Sequence, residues 1–119
     1  MIQEFRDKHG VEARQGWGMT ETSPMCVLSH PPKDLGELSD TDWRIKSGRP
    51  VPGIEVRVMD EAGKALPEDG KSVGELQLRG PWITGGYHRA ESPDSISADG
   101  WLRTGDVGYI DERHYVQLT

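Results

Sequence analysis

The chain has 119 residues, among them 15 glycines and 8 prolines, and its 14 basic and 20 acidic residues give a net charge of −6 at pH 7. The acidic balance argues against an electrostatic nucleic-acid-binding protein, and no apolar run approaches the roughly 18 residues that a membrane-spanning helix needs. The single cysteine, Cys26, excludes an internal disulfide, and the histidines are too scattered to form a zinc-binding pattern. Composition therefore predicts one small, cytoplasmic, β-rich domain with many turns.

The N-terminal part of the chain predicts a helix followed by a short strand. Residues 1–9 place Phe5 on an apolar helical face, and Gly10 is a typical C-terminal stop for such a helix. Residues 11–15 alternate as in a strand, which the glycines on either side of Trp17 would end.

The next segments predict a helical turn, a loop and then strands. Residues 20–26 favour a helical turn that Pro24 would begin, and the polar, proline-rich residues 29–42 predict a loop. Strands are predicted over residues 53–60, 73–79, 101–103, 107–110 and 115–118. Residues 89–96 favour a short helix. Strands at this spacing are typical of a small barrel or a curled sheet.

Three segments carry the residue types that binding or catalysis needs. Residues 15–24 read QGWGMTETSP, residues 74–80 read GELQLRG with GGY at 85–87, and residues 100–109 read GWLRTGDVGY. Glycines beside Trp17 allow the backbone to approach a ligand, while a threonine hydroxyl can bond a phosphate and a carboxylate can bind Mg²⁺. Asp106, directly after a glycine, can offer two oxygens to a vicinal diol.

Each of these segments also has an ordinary structural interpretation when it is taken alone. Taken alone, the first is better explained as a glycine-rich turn with a half-buried tryptophan, the second as a strand ended by glycines, and Thr104-Gly105-Asp106 as a common turn. Their order along one chain is what makes them informative.

In that order the three motifs resemble the adenylate-forming, or AMP-binding, superfamily, which comprises acyl-CoA synthetases, adenylation domains of peptide synthetases and luciferases. The sequence of residues 15–24 is most similar to that of bacterial medium- and long-chain fatty acyl-CoA synthetases. The resemblance implies an α+β, β-rich fold, namely the end of the large N-terminal domain of that family and mostly its small distorted β-barrel subdomain. It also implies ATP-dependent ligation of a carboxylic acid to CoA through an acyl-AMP intermediate, with Mg²⁺.

The resemblance also implies a role for each residue that matches the family motifs. Gly16 and Trp17 would line the adenine, with Trp17 in the place usually held by tyrosine, and Asp106 would hold the ribose hydroxyls. Thr20 and Glu21 would be the catalytic pair, Thr20 bonding the phosphate and Glu21 binding Mg²⁺.

Three further implications concern the acyl site and the extent of the chain. Gly18 and Met19 would border the acyl channel, and His114 stands where the family usually has glycine. Residues 1–119 would form a partial AMP-binding domain, since the family's phosphate loop lies upstream of these motifs and its hinge and C-terminal lid domain lie downstream. We therefore expect this segment to be inactive alone and to self-associate through an apolar face. Two alternatives stay open: another adenylating enzyme, for an aryl or amino acid, and a stand-alone, non-catalytic binding module.

Overall fold

The computed structural model describes residues 1–19, 25–81, 83 and 96–119. The helices and strands within these ranges are α1 (Ile2–His9), β1 (Gly16–Gly18), β2 (Met25–Leu28), α2 (Asp40–Arg44), β3 (Arg49–Pro50), β4 (Glu55–Met59), β5 (Gly74–Arg79), β6 (Leu102–Ile110) and β7 (Val116–Leu118). Strands β1, β2 and β3 form a three-stranded sheet, and β4 to β7 form a four-stranded sheet in chain order. All pairs are antiparallel. The β-rich α+β prediction is confirmed.

The four-stranded sheet is built from the alternating segments that the sequence predicts as strands. In β4, Val56 and Val58 are buried and lie opposite Leu78 and Leu76 of β5, so the two strands turn the same face to the core. The predicted strands over residues 53–60, 73–79 and 115–118 are confirmed to within two residues at each end. The segments predicted as two strands, 101–103 and 107–110, are joined in the single strand β6.

One hydrophobic core serves both sheets. Trp17, Cys26 and Val27 of the three-stranded sheet belong to the same buried cluster as the valine, leucine and isoleucine side chains of the four-stranded sheet. The two sheets are also joined through their backbones, because Gly48, next to β3, exchanges two hydrogen bonds with Val116 of β7, of 3.3 and 2.7 Å.

The helix at the N-terminus follows the sequence prediction. Gly10 ends α1 in a left-handed conformation, with φ of 62°, and its amide donates to the carbonyl of Arg6. Arg6 also forms an ion pair with Asp40 at 2.5 Å, which connects α1 to α2. Helix α2 interrupts the predicted loop of residues 29–42. A capping box between Ser39 and Asp42 begins it, and the spacing of these two residues in the sequence is the local signal for this helix.

Two further predictions in the N-terminal half are wrong. Residues 11–15 form no strand, because backbone pairing with β2 selects Gly16–Gly18 instead. The helical turn predicted for residues 20–26 is wrong at Met25 and Cys26, because both residues belong to strand β2. The other residues of that prediction lie outside the described part of the chain. The helix predicted for residues 89–96 also lies outside it, except Ile96, which forms a bridge with Leu102.

Candidate functional site

The structure brings together two residues that the sequence analysis placed at a nucleotide site. The indole Nε1 of Trp17 donates a hydrogen bond to Oδ2 of Asp106 at 3.0 Å, although 89 residues separate the two in sequence. Trp17 lies in β1 and Asp106 in β6, so this contact joins the three-stranded and four-stranded sheets. A tryptophan and a carboxylate from separate motifs therefore form one corner of the molecule.

A bulge in β6 presents Asp106 to solvent. In β5, Glu75 pairs with Val107 and Gln77 pairs with Arg103. The three residues 104–106 of β6 therefore lie opposite the single residue Leu76. Gly105 adopts φ of 75°, a left-handed conformation that residues with side chains rarely adopt. The turn predicted at these positions is thus a bulge inside a continuous strand, and Asp106 stands out from the sheet.

Thr104 holds this bulge in place. Its hydroxyl donates to the carbonyl of Leu76 at 2.6 Å and accepts a hydrogen bond from the amide of Asp106 at 3.1 Å. The sequence analysis did not assign Thr104 a role. A threonine two residues before an aspartate in a turn is the signal that would have indicated one, because such hydroxyls cap nearby amides.

Trp17 is held more firmly than a ligand-facing residue in an open turn would be. Its side chain is only 8% exposed, and it lies opposite Val27 in the sheet. The thiol of Cys26 donates to its carbonyl oxygen at 3.1 Å. The indole is therefore a core side chain whose N–H reaches the edge of the site.

The other candidate residues fall into two groups. Gly16 and Gly18 flank Trp17 in β1 and are exposed, while Met19 is partly buried and packs against the hydrophobic core. Thr20 and Glu21 lie outside the described residues. Within the residues that are described, no three histidine, cysteine, aspartate or glutamate side chains are grouped as a metal ion would require.

A second polar cluster lies on the face of the four-stranded sheet that points away from the core. It lines an open groove of about 1080 Å³, whose walls include Arg57, Met59, Gln77, Asp99, Arg103 and Val107. Arg57 donates to both carboxylate oxygens of Asp99, at 2.7 and 3.0 Å, and to the Gln77 side chain. The guanidinium of Arg57, and then the hydroxyl of Ser97, hold the pKa of Asp99 well below its usual range.

This groove was not predicted from the sequence, and neither Trp17 nor Asp106 lines it. Charged residues at the non-core positions of β4, β5 and β6 were the available signal, but they are also what a solvated sheet face would carry. Because Arg57 and Asp99 satisfy each other, their pairing accounts for both side chains without a ligand.

Comparison with known proteins identifies the family of this chain. The family model for AMP-binding enzymes matches residues 1–88. The chain belongs to the AMP-binding enzyme family. Its resemblance to that family, drawn above from three motifs, is thereby confirmed.

Relatives of this AMP-binding chain include bacterial CoA ligases. A long-chain-fatty-acid–CoA ligase of Thermus thermophilus is 44% identical over 117 residues, which cover 94% of this chain and 22% of that protein. A medium-chain-fatty-acid–CoA ligase of Ectopseudomonas oleovorans is 40% identical over 121 residues, covering 99% of this chain and 22% of that protein. The sequence spans about a fifth of the length of the ligases it matches.

In solved structures too, nearly all of this chain matches a small part of a longer protein. ATP-bound MatB from Rhodopseudomonas palustris superposes with a TM-score of 0.77 at 32% identity, over 98% of this chain and 22% of that protein. No helix among the described residues of this AMP-binding chain is both long and apolar enough to cross a membrane.

Proposed function

We propose that this chain supplies the adenosine-binding corner of an ATP-dependent fatty acyl-CoA ligase. The observation that carries the proposal is the hydrogen bond between Trp17 and Asp106, because it unites the two motifs that the family resemblance assigns to adenine and ribose. The relatives named as long- and medium-chain-fatty-acid–CoA ligases support the acyl class.

The proposed reaction has two steps. A carboxylate oxygen of the acid attacks the α-phosphorus of ATP, so that a P–O bond forms and the bond to pyrophosphate breaks. The sulfur of CoA then attacks the acyl carbon, and the C–O bond to AMP breaks as the thioester forms. Both steps need charge stabilisation around the α-phosphate, which a hydroxyl positioned as that of Thr20 and a Mg²⁺ ion held by Glu21 would supply.

Each motif residue has a part in this proposal. Asp106, exposed on its bulge, would accept hydrogen bonds from the ribose hydroxyls, while Gly16 and Trp17 would line the adenine. Thr20 would bond the phosphate, and Glu21 would hold Mg²⁺.

Gly18 and Met19 would border the acyl chain, where a missing side chain and a flexible thioether suit a lipid. A cytoplasmic location belongs to the same proposal, because Cys26 is the one cysteine of this sequence and is buried, so it forms no internal disulfide of the kind that oxidising compartments favour.

A second candidate function is adenylation of a different acid. A 2-succinylbenzoate–CoA ligase of Enterococcus faecalis is 35% identical over 113 residues, so an aryl acid is compatible with the same nucleotide corner. The acid class depends on the acyl pocket, which Trp17 and Asp106 do not form.

The test is a chimera in which these 119 residues replace the matching segment of the Thermus thermophilus ligase. We expect ATP–pyrophosphate exchange with long-chain acids in the chimera, and about a hundredfold loss when Asp106→Ala removes the proposed ribose contact. Asp99→Ala is the matched control, because it removes an aspartate of the turn before β6 that lies in the groove on the outer face of the four-stranded sheet, here called the outer groove. Equal activity of Asp106→Ala and the unmodified chimera would contradict the proposal, as would exchange only with aryl acids.

The isolated 119-residue chain is expected to behave differently. We expect no pyrophosphate exchange above that of its Glu21→Ala variant, because the phosphate contacts of the longer ligases are needed to position ATP. We also expect it to self-associate. Exposed apolar side chains, among them Met25, Leu28 and Ile45, support this expectation. A single monomer species in sedimentation velocity at high concentration would argue against self-association.

A further inference from the structure

The hydrogen bond between Trp17 and Asp106 places a constraint on the carboxylate that neither motif predicts alone. An indole has a single N–H, and in Trp17 this donor is committed to Oδ2 of Asp106. Within the part of the chain that the structure describes, Oδ1 of Asp106 accepts no hydrogen bond. One carboxylate oxygen is thus fixed while the other is left open to a ligand.

Both ends of this contact are held by the fold. The indole is 8% exposed, and its own backbone carbonyl accepts a hydrogen bond from the thiol of Cys26. On the other side, Thr104 accepts a hydrogen bond from the Asp106 amide and donates to the Leu76 carbonyl. An exposed carboxylate would otherwise rotate freely about its last side-chain bond, which is a broad torsion.

We infer that Trp17 is a positioning residue for ribose, acting through Asp106. This rests on the proposed function, in which Asp106 binds the ribose hydroxyls. With Oδ2 held by the indole, Oδ1 and the second lone pair of Oδ2 face a vicinal diol in one orientation, so the carboxylate is ordered before the nucleotide arrives. The aromatic residue of the first motif therefore contributes to sugar recognition in addition to any contact with the base.

The first experiment tests the contact in the 119-residue chain itself by NMR of the tryptophan indole N–H signals. Asp106→Ala should move the Trp17 signal upfield and speed its exchange with solvent by about tenfold. Trp43 is an internal control, because its indole donates to the carbonyl of Leu35 at 2.8 Å and should not respond. Asp99→Ala should leave the Trp17 signal in place. An unmoved Trp17 signal in Asp106→Ala would overturn the inference and remove the contact that supports the proposed function, whereas the activity of the Asp106→Ala chimera would still test that function separately.

The second experiment measures nucleotide affinity in the Thermus thermophilus chimera with ATP and with 2′,3′-dideoxy-ATP. Trp17→Phe keeps an aromatic face but removes the donor, so we expect it to weaken ATP binding by about tenfold and dideoxy-ATP binding by less than about twofold. In an Asp106→Ala background the same substitution should change neither affinity. Trp17→His, which restores a ring N–H, should recover part of the ATP affinity.

Two results in the chimera would decide against the inference. Equal weakening of ATP and dideoxy-ATP by Trp17→Phe would mean that Trp17 acts on the base alone, with the proposed function intact. Unchanged ATP affinity in Asp106→Ala would overturn both the inference and the ribose assignment on which it rests.

Discussion

The two sheets each supply half of the candidate site, but they are built differently. The three-stranded sheet has strands of three, four and two residues, whereas strands β4, β5 and β6 of the four-stranded sheet have five, six and nine. Most buried aliphatic side chains belong to the four-stranded sheet. The short sheet therefore depends on the longer one for its burial, and the position of Trp17 depends on the fold of strands that begin at Glu55, well downstream of it in sequence.

Removing core volume from the longer sheet is the strongest test of this dependence. Leu76→Ala should lower the free energy of unfolding by about 3–5 kcal/mol, because Leu76 is 0% exposed at the centre of the shared core. Urea unfolding followed by tryptophan fluorescence and by far-ultraviolet circular dichroism should give coincident curves. The control is Val73→Ala at a 48% exposed position, which should change stability by less than about 0.5 kcal/mol. If the fluorescence transition kept its wild-type midpoint, the short sheet would be independent of the core.

The junction between the sheets is tested by Gly48→Ala. A Cβ at this position would lie 2.2 Å from the carbonyl carbon of Leu28, and φ is +120°, so we expect a loss of about 2–3 kcal/mol. The Val116 amide, which donates to Gly48, should exchange with solvent faster than the amides that join β4 and β5.

The matched control for the junction is Gly63→Ala. Gly63 also has a positive φ, of +81°, but a Cβ there meets nothing within 4 Å, so its cost should be that of backbone conformation alone, about 1 kcal/mol. Equal losses for the two variants would mean that the close approach at Gly48 is relieved without separating the sheets.

A stabilising change is expected in the turn between β6 and β7. His114 has φ of 68°, a left-handed conformation that glycine adopts without strain, and the family resemblance implies glycine at this position. His114→Gly should raise the free energy of unfolding by roughly 0.5–1 kcal/mol, measured by thermal melting. Glu68→Ala separates the two contributions, because it removes only the contact of Glu68 with the imidazole Nδ1 at 3.0 Å. A lower melting temperature in His114→Gly than in Glu68→Ala would contradict the strain argument.

The smallest effect is expected from acid. Backbone and hydroxyl hydrogen bonds from Ser72, and then the amide of Lys71, lower the pKa of Asp69 to about 2, and Arg44 and then Arg6 lower the pKa of Asp40. Carboxyls with a depressed folded-state pKa contribute stability above their unfolded value near ~3.9, and that contribution disappears as pH falls towards the folded value. The urea concentration at which half of the protein is unfolded should therefore decrease as the pH is lowered from about 4 to about 2.

Asp69→Asn is the control for this acid response. The amide keeps an acceptor for the loop amides but does not titrate, so its urea midpoint should decline less steeply over the same pH interval. Identical slopes would assign the acid response to other carboxyls, such as Asp40 beside α1.

The four-stranded sheet could be predicted from the sequence better than the three-stranded sheet. Alternation identifies β4 and β5 because their two faces differ in polarity, and Gly10 identifies the end of α1. Alternation does not identify Gly16–Gly18 as a strand, because two glycines and one tryptophan show no alternation of polar and apolar side chains. Backbone pairing with Met25–Leu28 creates this strand. Local pattern cannot report a partner that is remote or equally irregular.

The candidate site shows the same limit. The motifs predicted that Trp17 and Asp106 belong to one site, but not that they bond each other, because that contact requires the packing of two sheets. Half of the role of Thr104 has the same origin: the acceptor of its hydroxyl, the Leu76 carbonyl, lies on a neighbouring strand, whereas its contact with the Asp106 amide is local. The roles of Thr20 and Glu21 stay predictions.

The bulge of residues 104–106 also decides how β6 tolerates change in length. It adds two residues relative to β5, an even number, so Arg103 before it and Val107 after it both face the outer groove while Leu102 and Ile110 face the core. Deleting one residue would invert every side chain on one arm of the strand, since a strand alternates with a period of two. Deleting or adding two would preserve both faces. The segment that presents Asp106 should therefore accept changes in length only in steps of two, and a single-residue insertion or deletion there should turn core side chains towards solvent.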